Sequence, residues 1–414
     1  MTRGPGGAPR TPKNGRSPDR DQTTRGEDGR SPDRDQTTRG EDGRSPDRDQ
    51  TKSLPAFLKF NPKLVFGAFL TLALSAVGGA LFDWLTMPLA WLVGAMVFTT
   101  IAALAGAPLQ SPGRLRHLMI GVLGIMLGSS FTPDVMDNVG QWWVSMVTLV
   151  TFVIVLTATV ALFLNRMAGY DPVTAYFSAA PGGFATMVVM GAEMGGDERD
   201  ISLVHAIRIM VTVLVIPFWF RFYQGYVPGG AGGMTGVGSI SDIAGVDFAI
   251  LAACALGYPL AKLFRFPAAA LLGPMILSAT VHLTGLTSAK PPSEIVILSQ
   301  LVIGAGLGCR FVGLHVKRVL KTMVLSVGVT AFMLALAAAF AFGLSSITGL
   351  EFPALWLSFS PGGLAEMTLI SLAMGIDTAF VSTHHLVRML FLVIAVPVFF
   401  TVFRNQLGAP AKNK

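Results

Sequence analysis

From Leu64 onward the chain is a succession of apolar runs separated by short polar turns. The runs cover residues 64–82, 89–107, 115–131, 142–164, 174–194 and 203–222, then 247–264, 268–286, 295–311, 321–347, 353–374 and 384–403. Most are long enough for a helix across a hydrocarbon core of ~30 Å, which needs about 20 residues. Lipid offers no partner for a free backbone N–H or C=O, so only helices and closed barrels cross it. Barrel strands would alternate polar and apolar residues with a period of two, and these runs do not. The pattern predicts an all-α integral membrane protein.

The second half of the pattern copies the first. Ser178-Ala179-Ala180-Pro181-Gly182-Gly183 returns as Ser358-Phe359-Ser360-Pro361-Gly362-Gly363, and the same offset matches Met187 with Met367, Asp197 with Asp377, His205 with His385, Arg208 with Arg388 and Pro217 with Pro397. Gly124, Gly128 and Phe131 likewise match Gly304, Gly308 and Phe311, and one residue less of offset matches Pro88, Gly94 and Met96 with Pro267, Gly273 and Met275. A register held this long marks an internal duplication. It divides the chain into membrane repeat 1 (53–224), a Gly-rich linker (225–245), membrane repeat 2 (246–405) and a short C-terminal tail (406–414). Residues 1–52 repeat the unit GRSPDRDQTTRGED and lack the apolar residues that a core needs, so they are expected to be disordered.

Charge placement orients the repeats. If all six runs per repeat crossed, Lys262, Arg265, Arg310, Lys317, Arg318 and Lys321 would lie outside, against the positive-inside rule. If the run holding Pro181-Gly182-Gly183 dips in and returns, and its copy does likewise, each repeat crosses five times and the second is upside down. Lys59, Lys63, Arg114, Arg116, Arg166, Arg199, Lys262, Arg265, Arg310, Lys317, Arg318, Lys321, Arg404, Lys412 and Lys414 then become cytoplasmic, leaving only Arg221 and Lys290 outside. The balance favours an inverted repeat with both termini inside a bacterial plasma membrane, and about five spanning helices plus one broken or re-entrant helix per unit.

Composition narrows the function classes. The chain is 52% hydrophobic and 13% charged, half the ~25% of a soluble domain. Its net charge of +7 is carried by the tail and by short loops, with no basic stripe to meet a nucleic acid. The two cysteines, Cys254 and Cys309, sit in apolar runs and read as packing residues. The first apolar run follows a long polar segment and is read as a span, not as a cleaved signal. No Walker-type phosphate loop is present, which argues against a built-in ATPase. The expected partners are the bilayer and a small solute, no cofactor or metal is expected, and a homo-oligomer is left open.

Two constellations carry candidate chemistry. A Pro-Gly-Gly triplet inside an apolar helix is expensive, ~3 kcal/mol for Pro and ~1 for each Gly relative to Ala. Irregular backbone at membrane depth is tolerated only against protein or a water-filled cavity. Paired interruptions in the two halves of a transporter mark its binding site near the midplane. Pro181, Gly182 and Gly183 with Pro361, Gly362 and Gly363 are therefore candidate site residues. The second constellation is His205-x-x-Arg208, copied as His385-x-x-Arg388; a spacing of three puts both side chains on one helix face. An arginine from each repeat could hold a carboxylate or phosphate. Glu366, where repeat 1 has Thr186, could carry a proton, bind a cation or pair with Arg388.

The duplicated segments SAAPGGFATMVVMGAEMG and SFSPGGLAEMTLISLAMG, each followed by HxxR and then proline, resemble the bacterial AbrB membrane family over about residues 60–405. The resemblance implies a multi-spanning inner-membrane protein linked to regulation of gene expression. The family is also labelled an ammonia monooxygenase, but the six histidines (His117, His205, His282, His315, His384 and His385) make a poor ligand set for copper or iron. The expected activity is secondary transport of a small, anionic solute, without enzymatic chemistry. A membrane regulator that senses without transporting is the alternative.

Overall fold

The computed structural model describes residues 62–223, 225, 238–266, 268–314 and 316–403; the tandem-repeat tail, the middle of the Gly-rich linker and the C-terminal tail lie outside them. Repeat 1 contains α1 (Pro62–Trp84), α2 (Ala90–Leu104), α3 (Gly113–Gly128), α4 (Pro133–Val139), α5 (Trp143–Arg166), α6 (Pro172–Ala179), α7 (Phe184–Glu193) and α8 (Glu198–Tyr223). Repeat 2 contains α9 (Gly245–Cys254), α10 (Gly257–Leu263), α11 (Ala269–Leu283), α12 (Ser293–Gly308), α13 (Val316–Thr348), α14 (Phe352–Phe359), α15 (Leu364–Ala373) and α16 (Thr378–Phe403). No strand occurs among the described residues, and seven helices are long and apolar enough to cross a membrane. The fold is that of an all-α membrane protein.

The duplication extends to backbone detail. Thr86 and Leu89 adopt positive φ (51° and 50°), and their counterparts Arg265 and Ala268 do the same (55° and 49°). A left-handed conformation costs a side-chain-bearing residue roughly 1 kcal/mol or more, so its recurrence at equivalent positions fixes the same turn into α2 and α11. Two differences separate the copies. The run 247–264 is two helices, α9 and α10, where repeat 1 has the single α1. The short α4 has no separate counterpart, because α13 runs through both positions for 33 residues.

The helices form two groups in which the repeats exchange partners. In the first, α3 packs on α11 and α12 packs on α2. Glycines permit both approaches: a Cβ on Gly124 would strike the backbone carbonyl of Leu271, and one on Gly304 would strike that of Leu92. Gly128 on Met275 and Gly308 on Thr99 repeat the arrangement one turn further on. This is small-residue packing of the kind that drives helix association in lipid. In the second group α5 packs on α16 and α8 packs on α13. Every such contact occurs twice with the repeats' roles exchanged, as a two-fold relation requires.

Gly304→Val is expected to lower the thermal stability of the detergent-solubilised protein by about 3 kcal/mol or to abolish folding. Gly328→Ala, on α13 where nothing lies within 4 Å, is expected to be neutral or slightly stabilising. Thermal unfolding of the two variants checks both.

Candidate functional site

Each Pro-Gly-Gly run is a pair of half-helices. In repeat 1, Asp171 caps α6 by accepting from the N–H groups of Val173 and Thr174. The helix ends at Ala180, whose extended backbone (ψ 122°) is what a following proline imposes. Gly183, also extended, starts α7. Repeat 2 follows suit, with Ser360 (ψ 141°) before Pro361 and Gly363 starting α15. The runs 174–194 and 353–374 are thus two short helices each.

The first pair folds back on itself. The N–H of Asp197, just beyond α7, donates to Thr174 Oγ1 in the first turn of α6, 2.8 Å away. Midway along, a Cβ on Gly191 would lie 3.1 Å from Phe177 Cβ. The C-terminal end of α7 therefore adjoins the N-terminal end of α6, and the two half-helices make an antiparallel hairpin with the break at its tip. The hydrogen bond from Arg221 Nη2 to Thr86 Oγ1, 3.1 Å, places the end of α8 beside the α1–α2 turn.

An α-helix leaves its last four carbonyls without internal partners. The histidine and arginine of each repeat supply them. His205 Nε2 donates to Phe177 O at 2.8 Å and Arg208 Nη1 to Ala180 O at 3.2 Å. In the copy, His385 Nε2 donates to Leu357 O at 3.0 Å and Arg388 Nη1 to Ser360 O at 2.6 Å. The spacing of three in HxxR matches two carbonyls three residues apart on a half-helix running parallel beside it. All four side chains are buried, none more than 4% exposed.

The copies differ in the second guanidinium nitrogen. Arg208 Nη2 donates to His205 Nδ1 at 2.8 Å, whereas Arg388 Nη2 donates to Gly362 O at 2.7 Å and leaves His385 Nδ1 without a partner. The same motif thus adopts two bonding patterns in one molecule.

The two tips converge. Arg208 and Arg388 lie within electrostatic reach of each other. Arg310, in a 3₁₀ turn after α12, stacks its guanidinium over the Phe184 ring at 4.0 Å, at the start of α7. It is also within electrostatic reach of Glu366 at the start of α15, of Arg116 on α3 and of His205. Glu366 is buried and folds back over Gly363, where a Cβ would collide with the carboxylate. Met187 and Met367 lie in the same way over Gly182 and Gly362. Each break thus sits beside its own histidine and arginine, and the Arg208–Arg388 and Arg310–His205 pairs, each within electrostatic reach, link the two repeats.

Sequence reasoning missed two members. Arg310 and Arg116, counted as cytoplasmic loop charges, are drawn into the protein, each with a buried guanidinium nitrogen lacking a hydrogen-bond partner. Without them the loop count, thirteen to two, still favours the same side. Ser130 stands where Arg310's counterpart would be; that unmatched arginine beside the matched Phe311 was the available signal. His384, beside His385, turns to other partners: it lies 2.8 Å from Ser145 Oγ and donates through Nδ1 to Phe380 O. Among the described residues no three His, Cys, Asp or Glu side chains cluster as metal ligands would. A separate apolar cavity of about 500 Å³ lies between α5, α6 and α16, lined in part by Tyr176, whose hydroxyl donates to Val396 O.

Arg388→Ala strands two carbonyls and Arg208→Ala one. Thermal unfolding is expected to rank Arg388→Ala as the more damaging, each lost charged hydrogen bond costing of order 1–3 kcal/mol.

The family described as "Transition state regulatory protein AbrB" matches residues 91–404. The chain is 28% identical over 371 residues to "Uncharacterized protein YhjN" of Bacillus subtilis (strain 168), covering 83% of this chain and 94% of the relative. It is 24% identical over 318 residues to "Putative regulator AbrB" of Escherichia coli (strain K12), covering 75% and 89%.

Proposed function

The chain belongs to the AbrB membrane family, and from that premise we propose that it is a secondary transporter of a small anionic solute, built as an inverted repeat in a bacterial plasma membrane with both termini cytoplasmic. The observation that carries the reading is the meeting of both helix breaks at one centre lined by Arg208, Arg388, Arg310 and Arg116, with Glu366 the acidic member. Broken helices from two repeats, meeting at membrane depth, are the architecture of a transport site. The starts of α7 and α15 add positive helix-dipole ends to the arginines, and all favour an anion.

Inversion is supported by the hairpin. If α6 and α7 enter and return, repeat 1 crosses five times, through α1, α2, α3, α5 and α8. The end of α8 then lies on the same side as the α1–α2 turn, in keeping with the bond between Arg221 and Thr86. Six crossings would put those two groups on opposite sides. An odd number of crossings turns the second repeat upside down.

Alternating access follows from the asymmetry of the two HxxR motifs. Repeat 1 is in the pattern with arginine on histidine, and repeat 2 in the pattern with arginine on glycine carbonyl. Exchanging the two patterns would carry the molecule to its mirror state, opening the centre to the other side. The chain acts as a carrier in this reading, not as an enzyme. A regulator is the second reading, favoured by the name of the Escherichia coli relative.

Proteoliposomes holding the purified protein are expected to take up at least one small organic anion faster than empty liposomes. His205→Asn and His385→Asn each remove one of the exchanging partners and should slow uptake about tenfold or more. Folded protein that moves no carboxylate, phosphate, sulfate or amino acid would contradict transport and turn attention to the regulator.

A further inference from the structure

Arg208 and Arg388, the arginines that the motif brings to notice, spend both terminal nitrogens on the fold, although Arg208 Nε has no partner. Their Nη1 groups hold Ala180 O and Ser360 O, and their Nη2 groups hold His205 and Gly362 O. What these arginines stabilise is the broken helix itself. A ligand's negative charge needs donors that are free of such duties.

Two guanidinium groups at the same centre meet that need. Arg310 Nη1 and Arg116 Nε are both buried and without a hydrogen-bond partner. Arg116 reaches α12 across Gly306, where a Cβ would stand 2.9 Å from its Nε and Cδ. The two arginines come from different repeats and lie within electrostatic reach of each other. Like charges gathered inside a membrane protein are costly unless something negative joins them. Glu366 is the acidic group within reach of Arg310.

We infer, resting on the transporter reading above, that Arg310 and Arg116 form the anion-recognition pair, that the ligand is a small carboxylate with an apolar body, and that Glu366 is the nearby negative charge that opposes its binding. Three features select this class. The Phe184 ring covers one face of the Arg310 guanidinium, leaving the edge of its planar fork for a coplanar two-oxygen acceptor. The acidic group within electrostatic reach of Arg310, Glu366, is itself a carboxylate, and it leaves Arg310 Nη1 without a partner. The surrounding wall is apolar, with Phe184 at one tip and Met187 and Met367 folded over the glycines of the two breaks. Binding brings a second carboxylate to Arg310 within the field of Glu366, so the two negative charges compete for the arginine pair.

The charges give the assignment a direction that can be tested. Glu366→Gln removes the resident competitor and keeps the shape, so it should tighten binding; Arg310→Lys keeps the charge but loses the planar fork, so it should weaken it. The test is ligand-induced thermal stabilisation of the full-length protein in detergent. The probes are sodium acetate, butyrate, benzoate and succinate, beside sodium phosphate and sulfate and the chlorides of ammonium and potassium. Wild type, Glu366→Gln, Arg310→Lys, Arg310→Gln and Arg116→Lys are compared. At least one monocarboxylate should stabilise the wild type, Glu366→Gln should respond at about tenfold lower concentration, and Arg310→Lys and Arg116→Lys should need about tenfold more. Anion binding unchanged in both lysine variants would overturn the assignment and leave the anion-transporter reading standing. Binding of phosphate or sulfate through Arg310, with no carboxylate response, would overturn the ligand class. No anion response in the wild type or Glu366→Gln would overturn the inference, and a response to ammonium or potassium alone would overturn the anion-transporter reading with it.

Discussion

Everything at the centre of this protein depends on backbone carbonyls that a broken helix leaves without partners. In water they would be solvated. In a bilayer each would cost several kcal/mol. Two buried side chains per repeat, a histidine and an arginine three residues apart, meet two carbonyls three residues apart on a parallel half-helix. With those bonds made, the Pro-Gly-Gly tips can stand at depth with their N–H groups unspent. Chemistry then becomes available where lipid alone would forbid it.

The same constraint explains the glycines. The first group of helices crosses so closely that Gly124 and Gly304 place their α-carbons against the opposite repeat's backbone. That rigid frame carries Arg116 on α3 and leads, through α12, to Arg310. The second group carries the hairpin of repeat 1 and the broken helix of repeat 2. The site lies between the two groups, so a shift of one against the other would change the distance between the arginine pair and the tips.

Much of this was legible in the sequence because duplication amplifies weak signals. A single Pro-Gly-Gly is a kink, and a matched pair at equivalent depth points to a site. The offset that aligned His205 and Arg208 with His385 and Arg388 also aligned the carbonyls that they hold. The fold class followed from the apolar runs, although the run 247–264 concealed two helices and the long α13 absorbed the counterpart of α4. What the sequence hid was Arg116 and Arg310. Both stand at the ends of apolar runs, where a charge count assigns every basic residue to a loop. Only packing against Gly306 and the Phe184 ring shows that they point inward. His384 was passed over because Val204 breaks the match, yet an unmatched polar residue in a duplicated helix is where the two halves have diverged in role.

If the broken helices of the two repeats enter from opposite faces, their outer ends lie on opposite sides of the membrane. Asp171 and Glu351 stand at equivalent positions, exposed, at the entrances to α6 and α14. With Cys254 and Cys309 replaced by alanine, Asp171→Cys and Glu351→Cys would be tested one at a time with a membrane-impermeant maleimide, on intact cells and on inverted vesicles. Position 351 is expected to label only from outside and position 171 only from the cytoplasmic side. Labelling of both from the same side would contradict it.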